Sequence, residues 1–119
     1  MAEILNLGEE QIRISQKVYG QIEYSITKGK TWKMRFKGDY QVGEFKDLID
    51  LGPVILAIAE KGLFFSTDNG NTWQRRFKPT AFTGEFIKFH FNGIHLSAET
   101  TKGMRYSPDE GRRWEKNPR

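Results

Sequence analysis

An eight-residue segment occurs three times along this chain, at a constant interval of 41 residues. The copies lie at residues 25–32, 66–73 and 107–114, and each has serine first, glycine fifth and tryptophan last. A repeat at this interval is typical of folds that stack one small unit of secondary structure several times. The 119 residues therefore predict a single domain of three units, at about residues 1–41, 42–82 and 83–119.

Each unit is predicted to contain four short β-strands and no helix. Apolar residues alternate with others in the strand before each repeated segment, as on one face of a sheet, and a helical period of 3.6 residues is absent. Glycines fall at turn-like positions between the strands, for example at Gly52-Pro53. The expected strands are 4–7, 11–15, 21–25 and 31–36, then 45–50, 54–59, 63–66 and 72–77, then 86–91, 94–98, 104–107 and 113–116. The fold class is therefore all-β.

The repeated segment resembles a known motif. Ser66, Asp68, Gly70, Thr72 and Trp73 give the order Ser-x-Asp-x-Gly-x-Thr-Trp, which resembles the Asp-box, also called the bacterial neuraminidase repeat. The first copy has Thr27 in the place of the Asp, and the third copy has Arg113 in the place of the Thr. The other positions of the motif are filled by Ser25, Gly29, Thr31, Trp32, Ser107, Asp109, Gly111 and Trp114.

The physical role expected for these boxes is structural. An Asp just after a strand accepts hydrogen bonds from turn amides ahead of it, and a glycine permits a positive φ. The tryptophans are expected to pack under the hairpin, where truncation of a buried Trp costs about 3–5 kcal/mol. The resemblance also implies that the boxes lie at the periphery of the fold, away from any active centre. The run from Asp68 to Asn71 lacks the ligand number and spacing of a calcium loop.

The resemblance implies that each unit is a four-stranded blade of a β-propeller. Propellers close with about 4–8 blades, so three blades cannot close a ring and would expose two apolar blade faces. We therefore expect a homodimer that forms a six-bladed propeller, with the third blade of one copy on the first blade of the other. The alternatives are a single-chain β-trefoil, which also has three four-stranded repeats, and a half-propeller completed by a different protein.

Composition narrows the class of function. The chain has no cysteine and a net charge of +4, so disulfides and thiolate metal sites are excluded and a nucleic-acid partner is not expected. No signal peptide and no membrane-length apolar run is found, so we expect a cytoplasmic protein that does not contact a membrane.

The arginine-bearing signature of sialidases is absent, and no nucleophile triad, phosphate loop or metal cluster is visible. His90 and His95 are expected to be packing residues. We therefore expect no enzyme activity, no cofactor and no metal.

Three features remain as candidate binding sites. Glu3, Glu44 and Glu85 share one register position before the first strand of each unit, so two copies would present a channel ring of carboxylates. The fourth strands are rich in Lys and Arg, which protects an edge strand from pairing and could also contact an anionic partner. The loops between units carry Tyr40 and Phe82, which could stack on a sugar or a protein. The sequence thus predicts a binding module for protein or carbohydrate; the alternatives are a structural assembly component and a relic of a glycan-processing enzyme.

Overall fold

The structure is a computed structural model that describes residues 4–15, 17–18 and 20–118. Within these ranges the regular secondary structure consists of eleven β-strands, and no helix is present. The all-β prediction is confirmed. The strands are β1 (Leu5–Asn6), β2 (Gln11–Ile14), β3 (Ile22–Ser25), β4 (Lys33–Phe36), β5 (Phe45–Asp50), β6 (Ile55–Ala59), β7 (Gly62–Ser66), β8 (Gln74–Phe77), β9 (Phe86–Phe91), β10 (Leu96–Thr100) and β11 (Gly103–Ser107).

The strands form three antiparallel sheets, one per unit, which we call blades 1, 2 and 3. Blade 1 has the order β1-β2-β3-β4, blade 2 the order β5-β6-β7-β8, and blade 3 the order β9-β10-β11. The fourth strand expected at 113–116 is reduced to one bridge, between Tyr106 and Glu115. In blade 2 the fourth strand extends to Phe77, which pairs with Leu63. Pro118 holds the place of Phe77 in blade 3, and a proline has no N–H to donate to a strand ladder.

Strands of different units do not pair with one another in the described part of the chain. The units contact through their faces, chiefly β5 with β2 and β9 with β5. A single-chain barrel such as a trefoil would need strand pairs between units, so the pairing favours separate, stacked blades. Strand β6 lies in the middle of this stack and all five of its residues are buried, which explains its unbroken apolar sequence.

Two apolar joints hold the three blades together. We call the face of a blade that contacts the next blade its forward face, and the opposite face its backward face. At the first joint Phe36 contacts Phe45 with ring centroids 5.8 Å apart, and Phe45 contacts Trp73 at 5.1 Å. The second joint repeats the arrangement with Phe77, Phe86 and Trp114, at 5.9 Å and 5.0 Å. The repeated aromatic trio shows that the two joints have the same geometry.

Blade 1 departs from the constant interval of 41 residues in its first two strands. Leu5 lies opposite Ile12, as Ile49 lies opposite Leu56 in blade 2, so the corresponding positions are 44 residues apart. The turn between β2 and β3 is longer than the Glu60-Lys61 turn of blade 2, and this length absorbs the shift. Glu3, which the sequence aligns with Glu44, lies outside the described residues.

The two terminal faces of the array differ from the expected apolar faces. On the forward faces of blades 1 and 2, four matched positions are all apolar: Leu5, Leu7, Ile12 and Ile14, then Ile49, Leu51, Leu56 and Ile58. Blade 3 has His90, Asn92, Ser97 and Glu99 at these positions. The backward face of blade 1 likewise carries Gln11, Arg13 and Glu23, where blade 2 has Ile55, Ala57 and Phe64. The expectation of two apolar terminal faces is therefore wrong, because polar residues replace apolar ones on the two faces that no other described blade covers.

Candidate functional site

The second box shows how the repeated motif builds its turn. The Ser66 hydroxyl accepts a hydrogen bond from the Gly70 amide at 2.8 Å and donates to Asp68 Oδ1 at 2.7 Å. Asp68 in turn accepts the Thr72 amide at 2.9 Å and the Thr72 hydroxyl at 2.6 Å. The Trp73 indole N–H donates to the Gly70 carbonyl at 3.0 Å. Each polar group of the motif thus has a partner within the same turn.

The first and third boxes reach the same turn with different side chains. In the first, Thr27 Oγ1 accepts the Thr31 amide at 2.9 Å, so a hydroxyl stands in for the carboxylate. In the third, Asp109 accepts the Arg113 amide at 2.8 Å and the Arg113 Nε–H at 2.9 Å, so a guanidinium stands in for the Thr hydroxyl.

The backbone of all three boxes is left-handed at two consecutive residues. Gly29, Gly70 and Gly111 have φ of 88°, 89° and 93°, as the motif predicts. The residues before them, Lys28, Asn69 and Glu110, also have positive φ, at 59°, 60° and 62°. Lys and Glu seldom adopt this conformation, so this feature was not visible in the sequence.

Hydrogen bonding keeps the box carboxylates ionised. Burial alone would raise the pKa of Asp68, but hydrogen bonds from Thr72 and Ser66 outweigh burial and lower the pKa below its ordinary value. The pKa of Asp109 is lowered in the same way, with Arg113 and Ser107 opposing the effect of burial. The hydrogen bonds that these carboxylates accept lie within their own turns. The boxes are therefore arranged as turn supports.

A second repeated device links each blade to the box of the next. Arg35 lies on β4 with its guanidinium 4.1 Å from the Tyr24 ring and donates to the Asn69 carbonyl at 3.0 Å. It also binds both carboxylate oxygens of Glu10, at 2.5 Å and 3.1 Å. This hydrogen bond is the main cause that lowers the pKa of Glu10. Arg35 thus ties two blades together, and we call this contact the arginine clamp.

The clamp recurs between blades 2 and 3 in a simpler form. Arg76 lies 4.1 Å from the Phe65 ring and donates to the Glu110 carbonyl at 3.1 Å, without a carboxylate partner of the Glu10 kind. Burial and the nearby Arg112 lower the pKa of Arg76. The sequence predicted only edge protection or an anion-binding belt for these basic strands. The repeated Arg at one register position was the signal that could have identified the clamp.

An open groove lies at the other end of the strands, between blades 1 and 2. The boxes precede the fourth strand of a blade and the loops between blades follow it, so boxes and loops lie at opposite ends of the sheets. The groove is lined by Tyr40, Val42, Phe64 and Trp73, with Lys61 and Arg75 beside them. Tyr40 is 86% exposed. Asp39 holds this loop by accepting the amides of Gln41 and Val42 at 2.9 Å and 3.0 Å, so the Tyr40 ring is displayed from an ordered turn.

The matching position between blades 2 and 3 is filled. Arg105 takes the place of Phe64, since each pairs with the corresponding alanine of the second strand. Its guanidinium lies 4.7 Å from the Phe82 ring and donates to the Phe82 and Met104 carbonyls at 2.9 Å and 2.8 Å. Phe82 is half-exposed, so the two loop aromatics have different surroundings: Tyr40 borders open space and Phe82 covers an arginine.

The predicted glutamate ring is only partly described. Glu44 and Glu85 are exposed and each precedes the first strand of its blade. The Glu60 carboxylate lies 3.4 Å from the Glu44 amide, while the Thr101 hydroxyl accepts the Glu85 amide at 3.0 Å. Within the described ranges no three His, Asp or Glu side chains are placed to hold a metal ion.

The two histidines are not packed in the interior. His90 lies on the forward face of blade 3, where its Nε2 is 2.5 Å from Glu99 Oε2 and both side chains are 47% exposed. His95 is exposed and its amide donates to Asn92 in a turn. The prediction of packing histidines is wrong because no further blade covers this face in the chain.

Two solved structures are similar to this fold. "YCF48 bound to D1 peptide" superimposes with a TM-score of 0.70 and 18% identity, over 96% of this chain and 40% of that one. YCF48 from Cyanidioschyzon merolae gives a TM-score of 0.67 and 15% identity, over 96% of this chain and 36% of that one. YCF48 is a β-propeller protein, so the likeness shows the propeller fold, and the chain spans about two fifths of the length of these proteins.

Comparison by sequence adds nothing to this result. No protein-family model matches the chain, and no curated protein matches it. The Asp-box resemblance therefore stays a prediction. In the part of the chain that is described, no helix has the length and apolar character of a membrane span.

Proposed function

We propose that the chain is a non-enzymatic Asp-box propeller module that binds protein, through the groove between blades 1 and 2. The observation that carries the proposal is the exposed Tyr40 beside Phe64, Trp73 and Arg75. Tyrosine, tryptophan and arginine are the residue types enriched at the energetic centres of protein interfaces, and here an exposed Tyr and an Arg line the same groove. One of the similar structures is YCF48 bound to a D1 peptide, which supports a peptide as the kind of partner.

The boxes enter the proposal as supports only. Their hydroxyls, carboxylates and indoles are committed to the turns and the joints between blades, which favours a scaffold with a binding surface over a reaction centre. A cytoplasmic location and completion of a six-bladed ring by a second copy belong to the same proposal.

Peptide selection tests the groove directly. A library of random twelve-residue peptides displayed on phage would be selected against the wild-type chain, and the enriched peptides measured by isothermal titration. We expect Tyr40→Ala and Arg75→Ala to weaken binding at least about tenfold, as loss of an interface anchor does. Lys33→Ala is the matched control, because Lys33 is an exposed basic residue on the edge strand of blade 1, away from the groove. Peptides that bind all four proteins equally would refute the groove as the site.

Carbohydrate is the second candidate ligand, and the exposure of Tyr40 favours it. A fully displayed ring flanked by the polar Asp39 and Gln41 offers a stacking platform with hydrogen-bonding groups nearby. A glycan array probed with wild type and Tyr40→Ala separates the two ligands. Glycan signals that Tyr40→Ala abolishes, together with an unproductive peptide selection, would replace the protein assignment. Failure of both experiments would leave the structural assembly role.

A further inference from the structure

The polar residues of the two terminal faces are complementary when the interior joints are used as a template. Ile14 and Ala57 are buried in one cluster at the first joint, and Ile58 and Ala98 are buried in one cluster at the second. On the forward faces, the strand registers place Glu99 of blade 3 where blades 1 and 2 have Ile14 and Ile58. On the backward faces, they place Arg13 of blade 1 where blades 2 and 3 have Ala57 and Ala98. A third joint of the same geometry would therefore place a carboxylate and a guanidinium within one joint.

Arg13 is already held in place by residues of its own blade. Its guanidinium lies 3.9 Å from the centre of the Trp32 ring, and its Nε donates to Glu23 Oε1 at 2.6 Å. The side chains of Arg13 and Glu23 are only 19% and 11% exposed. At the interior joints a phenylalanine covers the equivalent tryptophan, as Phe45 covers Trp73. In blade 1 the Arg13 guanidinium covers the tryptophan, and this contact lies within one chain.

We propose that two copies of the chain close a six-bladed ring through these polar faces, with Arg13 of each copy facing Glu99 of the other. The inference rests on the ring that the proposed function includes, and it specifies the chemistry of the closing joint. Both joints form together about a two-fold axis, so the second contact is intramolecular and two weak joints suffice for a measurable dimer.

The closing joint is built to open more readily than the interior ones. It replaces apolar contacts with ion pairs, whose strength falls as salt screens them. It also lacks the arginine clamp, because Asn117 occupies the position of Arg35 and Arg76 in blade 3. The ring is therefore a reversible assembly of two stable half-rings.

Mass measurement by analytical ultracentrifugation tests the joint. We expect wild type to sediment at twice the chain mass of 13.9 kDa in about 0.05 M salt, and to dissociate toward the monomer near 1 M, where the screening length falls to about 3 Å. Arg13→Glu and Glu99→Arg should each be monomeric, since like charges then meet at both joints. Mixing the two variants should restore the dimer, because one joint of the mixed ring is then wild type and the other has its charges exchanged.

The thermal unfolding transition of each variant shows whether the variant is folded. If a charge reversal unfolds the chain, the single variants Arg13→Ala and Glu99→Gln replace it, because both remove a charge without reversing it. These neutral variants should lose most of the salt dependence. A wild-type protein that stays monomeric at low salt and high concentration would overturn the proposal, and so would a mixture of variants that does not dimerise. Peptide binding in the groove is independent of these outcomes, because the groove lies within one chain.

Discussion

At the scale of single residues, the hydroxyl of the first serine of the box joins three groups of the turn. Ser66 is 2% exposed, and its hydroxyl is shared by the Asp68 and Gly70 amides and the Asp68 carboxylate. We expect Ser66→Ala to lower the free energy of unfolding by about 1–3 kcal/mol, because buried amides lose their acceptor. Urea denaturation measures the loss. Thr67→Ala, on the exposed side of the same turn, should change stability by less than about 0.5 kcal/mol; equal effects would contradict this account.

The first box offers the opposite experiment, because its Thr27 can be given the carboxylate of the other boxes. Thr27→Asp should raise the free energy of unfolding by about 0.5–1 kcal/mol at pH 7, since a carboxylate accepts the Thr31 amide and hydroxyl more strongly than a hydroxyl does. The pKa values of Asp68 and Asp109 are lowered in the folded chain. A lowered folded pKa gives stability that is present above the unfolded pKa and is lost as the pH falls through the folded pKa.

The gain from Thr27→Asp should therefore shrink in acid. Urea titrations of wild type and variant at pH 7 and about pH 2 make the comparison, since stabilisation by a carboxylate is lost as the pH falls below the free value near 3.9 and through the lowered folded pKa. Asp68→Thr is the reciprocal control and should lose more stability at pH 7 than at pH 2. A gain that persists undiminished in acid would mean that the introduced side chain acts through something other than its charge.

Residue roles were only partly accessible from sequence. The motif predicted the positive φ of Gly70 and an accepting role for Asp68, because both follow from local backbone chemistry. It did not predict the left-handed Lys28 or the clamp made by Arg35, because these depend on which blade lies next to the turn. Local hydrogen bonding can be derived from eight residues, whereas contacts across 34 residues of chain require the stacking of the blades.

At the scale of elements, the arginine clamps connect neighbouring blades with unequal strength. Arg35 binds Glu10 through two nitrogens as well as the Asn69 carbonyl, whereas the described bond of Arg76 is to the Glu110 carbonyl. We expect Arg35→Ala to lower the free energy of unfolding by about 2–3 kcal/mol, because a charge-assisted hydrogen bond to the Glu10 carboxylate is lost. Arg76→Ala should lower it by about 1 kcal/mol. Thermal unfolding of the two variants gives the comparison, and a larger loss for Arg76→Ala would contradict this ranking.

Strand positions were predicted well in the second unit and less well at the two ends. The first strands of blades 2 and 3 match the prediction, at Phe45–Asp50 and Phe86–Phe91. The start of β10 was placed two residues early, because Ile94 lies in an exposed turn held by Asn92. Apolar identity alone cannot distinguish a turn residue from a strand residue. Blade 3 has one bridge at Glu115 in place of a fourth strand, and the proline at position 118 is the sequence signal for this difference.

At the scale of the whole molecule, the stacking of three blades was predictable and the character of the terminal faces was not. The interval of the boxes predicts the number of blades and their equivalence. The polar substitutions on the outer faces become visible only in the correct register, since blade 1 is shifted by the longer turn before β3. With that register, His90 and Glu99 stand where two other blades have leucine or isoleucine. Terminal repeats of stacked folds need a polar outer face for solubility, and here the same faces carry the two charges of the proposed closing joint.

The ring can be made permanent if the interior joints are the right template for the closing one. The double variant combines Arg13→Ala with Glu99→Ile. It places alanine at the position of Ala57 and Ala98, and isoleucine at the position of Ile14 and Ile58. Ion pairs that salt screens are then replaced by apolar contacts that salt does not weaken. We expect the double variant to remain dimeric in sedimentation near 1 M salt, where wild type dissociates. The matched control is Lys33→Ala combined with Thr67→Ala, which leaves both faces unchanged and should dissociate like wild type. A double variant that dissociates at the same salt concentration as wild type would show that Arg13 and Glu99 do not lie in the closing joint.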